Sequence, residues 1–174
     1  MIAAMRPIAA FLLAAAAAAN AQTVPTYGCD SPESKALDFW LGEWELTYQG
    51  DDGKPAKSRN RITKVLDGCA VLEEFTGAPG TKLDGRSYSQ FDRTTRQWKQ
   101  TWVDNTAAYL DFVGGTIDGQ MYFAREVERQ GKRIKQRMIF QDVQRDSLTW
   151  RWQRSDDGGT TWVTQWEIGY RRLK

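Results

Sequence analysis

Gln97-Trp98-Lys99-Gln100-Thr101-Trp102-Val103-Asp104 is a two-faced segment. Its even positions place Trp98, Gln100, Trp102 and Asp104 on one side, and its odd positions place Gln97, Lys99, Thr101 and Val103 on the other. A period of two is the mark of a half-buried strand, because successive side chains of an extended chain point to opposite faces. The same alternation runs through Glu43-Trp44-Glu45-Leu46-Thr47-Tyr48 and from Trp162 through Trp166 to Tyr170. Between such segments stand turn pairs: Asp52-Gly53, Asp67-Gly68, Asp84-Gly85, Asp118-Gly119, Gln130-Gly131 and Asp157-Gly158. Two turns lack a central glycine, Asp92-Arg93-Thr94-Thr95 and Gln144-Arg145-Asp146-Ser147.

This punctuation predicts about ten strands, near 43–49, 57–66, 69–76, 86–92, 96–104, 108–114, 119–127, 133–142, 147–155 and 161–172. One short helix is expected over Ser31 to Leu41, with Ser31 as cap, Pro32 at the first helical position and Gly42 as terminator. Consecutive antiparallel strands with short connections form a meander. A meander of this length exposes two edges unless it closes, so the predicted fold is an all-β, antiparallel up-and-down β-barrel.

The chain opens with Arg6, an unbroken apolar run from Ile8 to Ala19, and the small-residue site Ala19-Asn20-Ala21. These are the three parts of a secretory signal, with cleavage expected before Gln22 and a periplasmic or secreted location. A bilayer span needs about twenty apolar residues, more than this run supplies. Thr26-Tyr27-Gly28-Cys29 is a poor lipid-attachment site because bulky Tyr27 stands where a small or aliphatic residue belongs. Beyond the leader, residues 22–174 read as one domain, long enough for its own core. Cys29 and Cys69, the two cysteines, most simply form one disulfide in an oxidising compartment.

Lysine and arginine number 24 against 22 aspartates and glutamates, with no long run of one sign. That balance argues against a nucleic-acid partner and against a polybasic membrane-surface binder. Histidine is absent. Serine–histidine and cysteine–histidine catalysis, ordinary zinc sites and histidine-ligated haem go with it, and no cofactor or metal site is expected. Any chemistry falls to carboxylates, tyrosine, lysine or arginine.

Phe39-Trp40-Leu41-Gly42-Glu43-Trp44, a helical turn entering Gly-x-Trp on the first strand, resembles the opening of lipocalins and the wider calycin barrels. That resemblance implies that Trp44 plugs one barrel end, with Arg171 or Arg172 stacked over it through a cation–π contact. A wider resemblance, over residues 36–172, is to an uncharacterised bacterial domain family. Its marks are the F-W-x-G-x-W opening, the middle group Phe91-Asp92, Trp98, Gln100, Trp102 and Asp104, the turn Ser155, Asp157, Gly158, Gly159, Thr161 and Trp162, and the closing Tyr170 and Arg172. The third group also resembles the Asp-box of sialidases. It reads as a hairpin device, in which Ser155 and Asp157 bond turn backbone and Trp162 packs beneath.

In a closed barrel alternate residues point inward. Parity groups Trp44, Leu46 and Tyr48; Val71, Glu73 and Phe75; and Lys135, Arg137 and Ile139. Glu73, Trp98, Gln100, Trp102, Arg137 and Trp150 are therefore the candidate lumen residues. A mostly apolar interior with a few directed polar groups suits a small, partly apolar ligand. The competing reading is that the tryptophans fill a small barrel, with Glu73 and Arg137 forming an ion pair or both solvated. Two other roles remain open. One is acid–base catalysis with Glu73, Asp104 or Asp111 as base; the other is an assembly module with an exposed aromatic face. The sequence sets no oligomeric state.

Overall fold

The computed structural model describes residues 29–174 other than 51 and 82. Its ten strands are β1 (Gly42–Gln49), β2 (Pro55–Val65), β3 (Ala70–Thr76), β4 (Asp84–Asp92), β5 (Gln97–Asp104), β6 (Tyr109–Ile117), β7 (Gln120–Arg129), β8 (Lys132–Gln141), β9 (Ser147–Ser155) and β10 (Val163–Arg172). Each pairs antiparallel with its neighbour in sequence, and β1 pairs with β10 to close an up-and-down barrel. Closure removes both sheet edges, as the sequence requires. The signal segment expected from the sequence lies outside the described residues. No helix among the described residues is long and apolar enough to cross a membrane.

The short N-terminal helical segment is present, wound as two 3-10 turns, Glu33–Lys35 and Asp38–Trp40. Tight i→i+3 bonds hold it, among them Trp40 N–H to Leu37 carbonyl at 3.0 Å, and Ser31 Oγ accepts from the Ser34 amide at 3.2 Å. Leu37 and Trp40 are fully buried against the barrel end. A disulfide between Cys29 and Cys69 ties the segment to the β2–β3 turn.

These turns sit across the end of the barrel where the chain leaves β10, and together they form a floor. Trp44 is fully buried there and donates from Nε1 to the Trp40 carbonyl at 2.8 Å. The Arg172 guanidinium lies 4.0 Å from the Trp44 ring centre and donates to the carbonyls of Phe39, at 3.1 Å, and Leu41. Arg171, one position earlier, necessarily faces out, where it meets Glu45 at 2.7 Å. Arg172 alone makes the closure.

Above the floor the core is packed by Leu46, Ile62, Val71, Trp98, Met121, Phe123, Phe140 and Leu148, all nearly or fully buried. Trp98 belongs to this layer, edge-on to Phe91 and Phe123 with ring centres 6.1 and 6.5 Å apart. One irregularity redirects the last strand. A bulge between Thr164 and Trp166 shifts the β9–β10 register, so that Trp166 pairs with Trp152 and faces inward with Ile168 and Tyr170. Thr164 lies on the opposite face, beside Gln153.

Candidate functional site: a half-hollow aromatic lumen

Away from the floor the side chains stop filling the barrel. A cavity of about 210 Å³ runs from Trp40 at its base to Leu83, Asp104 and Leu110 at the opposite end. Its wall is aromatic: Phe75 and Trp102 on β3 and β5, Phe112 on β6, Trp150 and Trp152 on β9, Trp166 on β10. These rings brace one another edge-to-face. Trp150 and Trp166 have centres 5.8 Å apart, Phe112 and Trp152 5.7 Å, and Phe75 and Trp102 6.0 Å. Such edge-to-face contacts fix ring orientation.

Gly85 keeps the wall thin. The six-membered ring of Trp102 lies against its Cα, and a Cβ there would stand 2.0 Å from Trp102 Cζ2. Any larger residue at position 85 would displace the indole. Trp102 is also held at its nitrogen, which donates to Asp104 Oδ2 at 2.9 Å.

One side of the lumen is polar. Glu73 on β3 is buried and lines the cavity. Its Oε1 accepts from Asn60 Nδ2 at 2.7 Å and its Oε2 from Ser87 Oγ at 2.7 Å. Asn60 Nδ2 also donates to the Tyr170 hydroxyl at 3.2 Å, which leaves the tyrosine proton free to donate. Burial raises the Glu73 pKa, and the Ser87 and Asn60 bonds offset this only in part. Burial likewise raises the Tyr170 hydroxyl far above its usual range, with the Glu73 charge adding to the effect. Gln100, on β5 at the far side of β4 from Glu73, donates from Nε2 to Ser89 Oγ at 2.9 Å.

The sign of the Glu73 shift gives a test. The folded protein holds this proton more tightly than the unfolded chain. The stability so contributed is complete below the ordinary carboxylate pKa and is lost as pH rises through the raised one. Glu73→Gln keeps an acceptor for Asn60 and a neutral side chain. Denaturant titrations across pH are expected to show a flatter profile for Glu73→Gln, with the variant more stable than the parent at alkaline pH. Superimposable profiles would mean that Glu73 titrates normally.

Of the residues singled out by parity, Glu73, Gln100, Trp102 and Trp150 meet around the cavity. Trp98 lies in the packed layer beneath. Arg137 is displaced altogether: the inward face of β8 is Ile134, Gln136, Met138 and Phe140, so Arg137 points outward. There it donates to Gln153 Oε1 at 2.7 Å and stacks 4.0 Å from the centre of Trp162. No Glu73–Arg137 pair exists. Ser155, Asp157 and Trp162 build the hairpin turn, with Gly159 N–H on Ser155 Oγ at 2.8 Å, Thr161 N–H on Asp157 Oδ1 at 2.9 Å and Trp162 Nε1 on the Gly159 carbonyl at 3.1 Å. Asp111 is exposed on the outer face of β6. Asp104 is committed to the β5–β6 turn. Burial raises its pKa, but bonds from Thr106, Trp102 and the Ala108 amide prevail and lower it overall, so it stays ionised.

Among the lining groups that the sequence reading did not include are Trp40, Trp152, Trp166 and Tyr170. Trp152 shares the Trp150 face, so its signal was present. Trp166 and Tyr170 share a parity with Trp162 in sequence and part from it only at the bulge. Another inward residue, Arg125, follows Met121 and Phe123 on β7 and was legible by the same rule.

A closed ten-stranded barrel with a packed floor and a half-hollow aromatic lumen defines a small lumen-bearing β-barrel protein. The chain belongs to the DUF1579 family, proteins of unknown function, whose profile matches residues 30–172. None of the curated proteins matches it. Among solved structures it is similar to a de novo designed fluorescence-activating β-barrel, at 15% identity and a TM-score of 0.43, covering 80% of this chain and 98% of the other.

Proposed function

We propose that this is an exported binding protein that takes a small, partly apolar molecule into the lumen of its barrel. The observation that carries the reading is the cavity, walled by aromatic rings and edged on one side by Glu73, Gln100 and Tyr170. Concave, mostly apolar sites with a few fixed polar groups are where proteins hold small ligands. The Cys29–Cys69 disulfide is compatible with an extracellular or periplasmic address, and the leader read from residues 6–21 supports export.

Native mass spectrometry of protein gently extracted from the periplasm is expected to reveal a noncovalent small-molecule adduct. Titration with decan-1-ol is expected to change the tryptophan fluorescence saturably, because five indoles border the cavity. Clean apoprotein together with a non-saturable response would refute the reading.

Glu73 favours a second reading, acid–base catalysis in the lumen. A buried carboxyl with a raised pKa beside a cavity is what such chemistry needs. The two readings part on the fate of the guest. A binding protein returns it chemically unchanged, whereas an enzyme converts it and loses turnover in Glu73→Gln.

A further inference from the structure

Of the acidic and basic residues on the inward faces of the strands, Glu73 lines the cavity and Arg125 lies against its Phe112 wall. Glu73 is accounted for by Asn60 and Ser87. Arg125 is not. It follows Met121 and Phe123, both buried, along the inward face of β7, and its guanidinium carbon lies 5.7 Å from the centre of the Phe112 ring. Its Nε and Nη1 atoms are shut off from solvent and have no hydrogen-bond partner among the described residues.

Buried polar groups in folded proteins are almost always paired, and a buried charge without an acceptor is costly. Among the described residues no carboxylate pairs with Arg125. Glu126 and Glu128 lie on the outer face of β7, with Glu126 turned to Arg133 at 3.7 Å. Asp104 is bound into its turn by Trp102 and Thr106. The residue opposite Arg125 on β8 is neutral Gln136. The Phe112 ring attracts the cation through its face but accepts no conventional hydrogen bond. Phe112 is also a wall of the cavity, so an anion held by Arg125 would adjoin a tail lying among the tryptophans.

We propose that Arg125 is the anion subsite of the lumen, and that the ligand is an amphipathic monocarboxylate whose apolar body occupies the tryptophan-lined cavity. The inference rests on the lumen-binding reading and gives it a substrate class. One unpaired cation calls for one negative charge, and a guanidinium matches a carboxylate in both charge and donor geometry.

The test compares decanoate with decan-1-ol, which share a tail and differ in charge, by isothermal titration calorimetry. The parent protein is expected to bind decanoate about ten-fold tighter or more, the scale of one charged hydrogen-bonded contact. Arg125→Gln is expected to erase that preference while leaving decan-1-ol affinity within about two-fold, since the alcohol makes no ionic contact to lose. Arg137→Gln, which removes a cation from the outer face, is expected to keep it. Thermal melts of the apoproteins guard against misfolding: Arg125→Gln is expected to melt at or above the parent temperature, because it discards a half-buried cation with two enclosed, unpartnered nitrogens. A preference that survives in Arg125→Gln would overturn the assignment while leaving lumen binding intact. So would a marked fall in melting temperature, the sign of a structural partner. A parent protein that binds neither probe would instead refute lumen binding itself.

Discussion

Trp44→Ala is expected to destabilise the protein by about 3–5 kcal/mol, the range for deleting a large buried aromatic side chain. The ring is fully enclosed. It packs edge-on to Tyr170 with centres 5.8 Å apart, holds the Trp40 carbonyl through its nitrogen, and underlies the Arg172 guanidinium. Alanine leaves a void that the 3-10 turns cannot fill, since Cys29–Cys69 and the strand register fix both ends of the segment. It also strips one face of a cation that keeps its carbonyl partners but loses its ring. Trp44→Phe retains most of the apolar contact and gives up the indole bond, so about 1–2 kcal/mol is expected. Urea denaturation reads both values. A double-mutant cycle with Arg172→Met should return a coupling of about 0.5–2 kcal/mol for the stacked pair. A loss of under about 1 kcal/mol in Trp44→Ala would show that the floor is not what holds the barrel end.

The strands were legible because both signals that define them are local. Turn pairs such as Asp118-Gly119 and Gln130-Gly131 adopt the left-handed backbone that tight hairpins require, and both of those glycines have φ between 70° and 80°. Facing direction was harder. On β8 the outward trio Lys135, Arg137 and Ile139 contains one apolar residue, while Ile134, Met138 and Phe140 supply three on the other face. Weighing apolar content against parity would have turned Arg137 outward. On β10 no count of alternation could have succeeded, because the bulge before Trp166 reverses the face midway. Trp162 therefore lies outside under Arg137, while Trp166 lines the cavity. Depth along the barrel was not legible at all. Trp98 and Trp102 share a face of one strand, yet one is sealed into the packed layer and the other borders open space. That difference is set by how tilted neighbouring strands stagger, which no single segment encodes.

Removing the disulfide by Cys29→Ala with Cys69→Ala is expected to cost about 2–4 kcal/mol, the usual range for a native bridge. The bridge closes a loop spanning a sequence separation of 40, which contains both 3-10 turns, β1 and β2. Ten strands and the packed layer above the floor do not depend on it, so the variant is expected to retain the β-sheet signature in far-ultraviolet circular dichroism. The damage should concentrate where the N-terminal segment meets the barrel. Other ties remain there: Lys64 to Asp38 at 2.7 Å, Arg96 to Glu33, and the Arg172 bonds to Phe39 and Leu41. Arg96 and Asp38 are substantially exposed, and such pairs hold a segment weakly. Trp40 both sits on this segment and forms the base of the cavity. Loosening the segment should therefore weaken decan-1-ol binding as well as stability, whereas a bridge that acted only on the unfolded chain would change stability alone. Reducing agent added to the parent protein should reproduce both effects, and a doubly substituted variant as stable as the parent would show that the bridge contributes nothing to the fold. The disulfide thus ties down the segment that carries Trp40 at the base of the cavity, an arrangement compatible with an oxidising compartment.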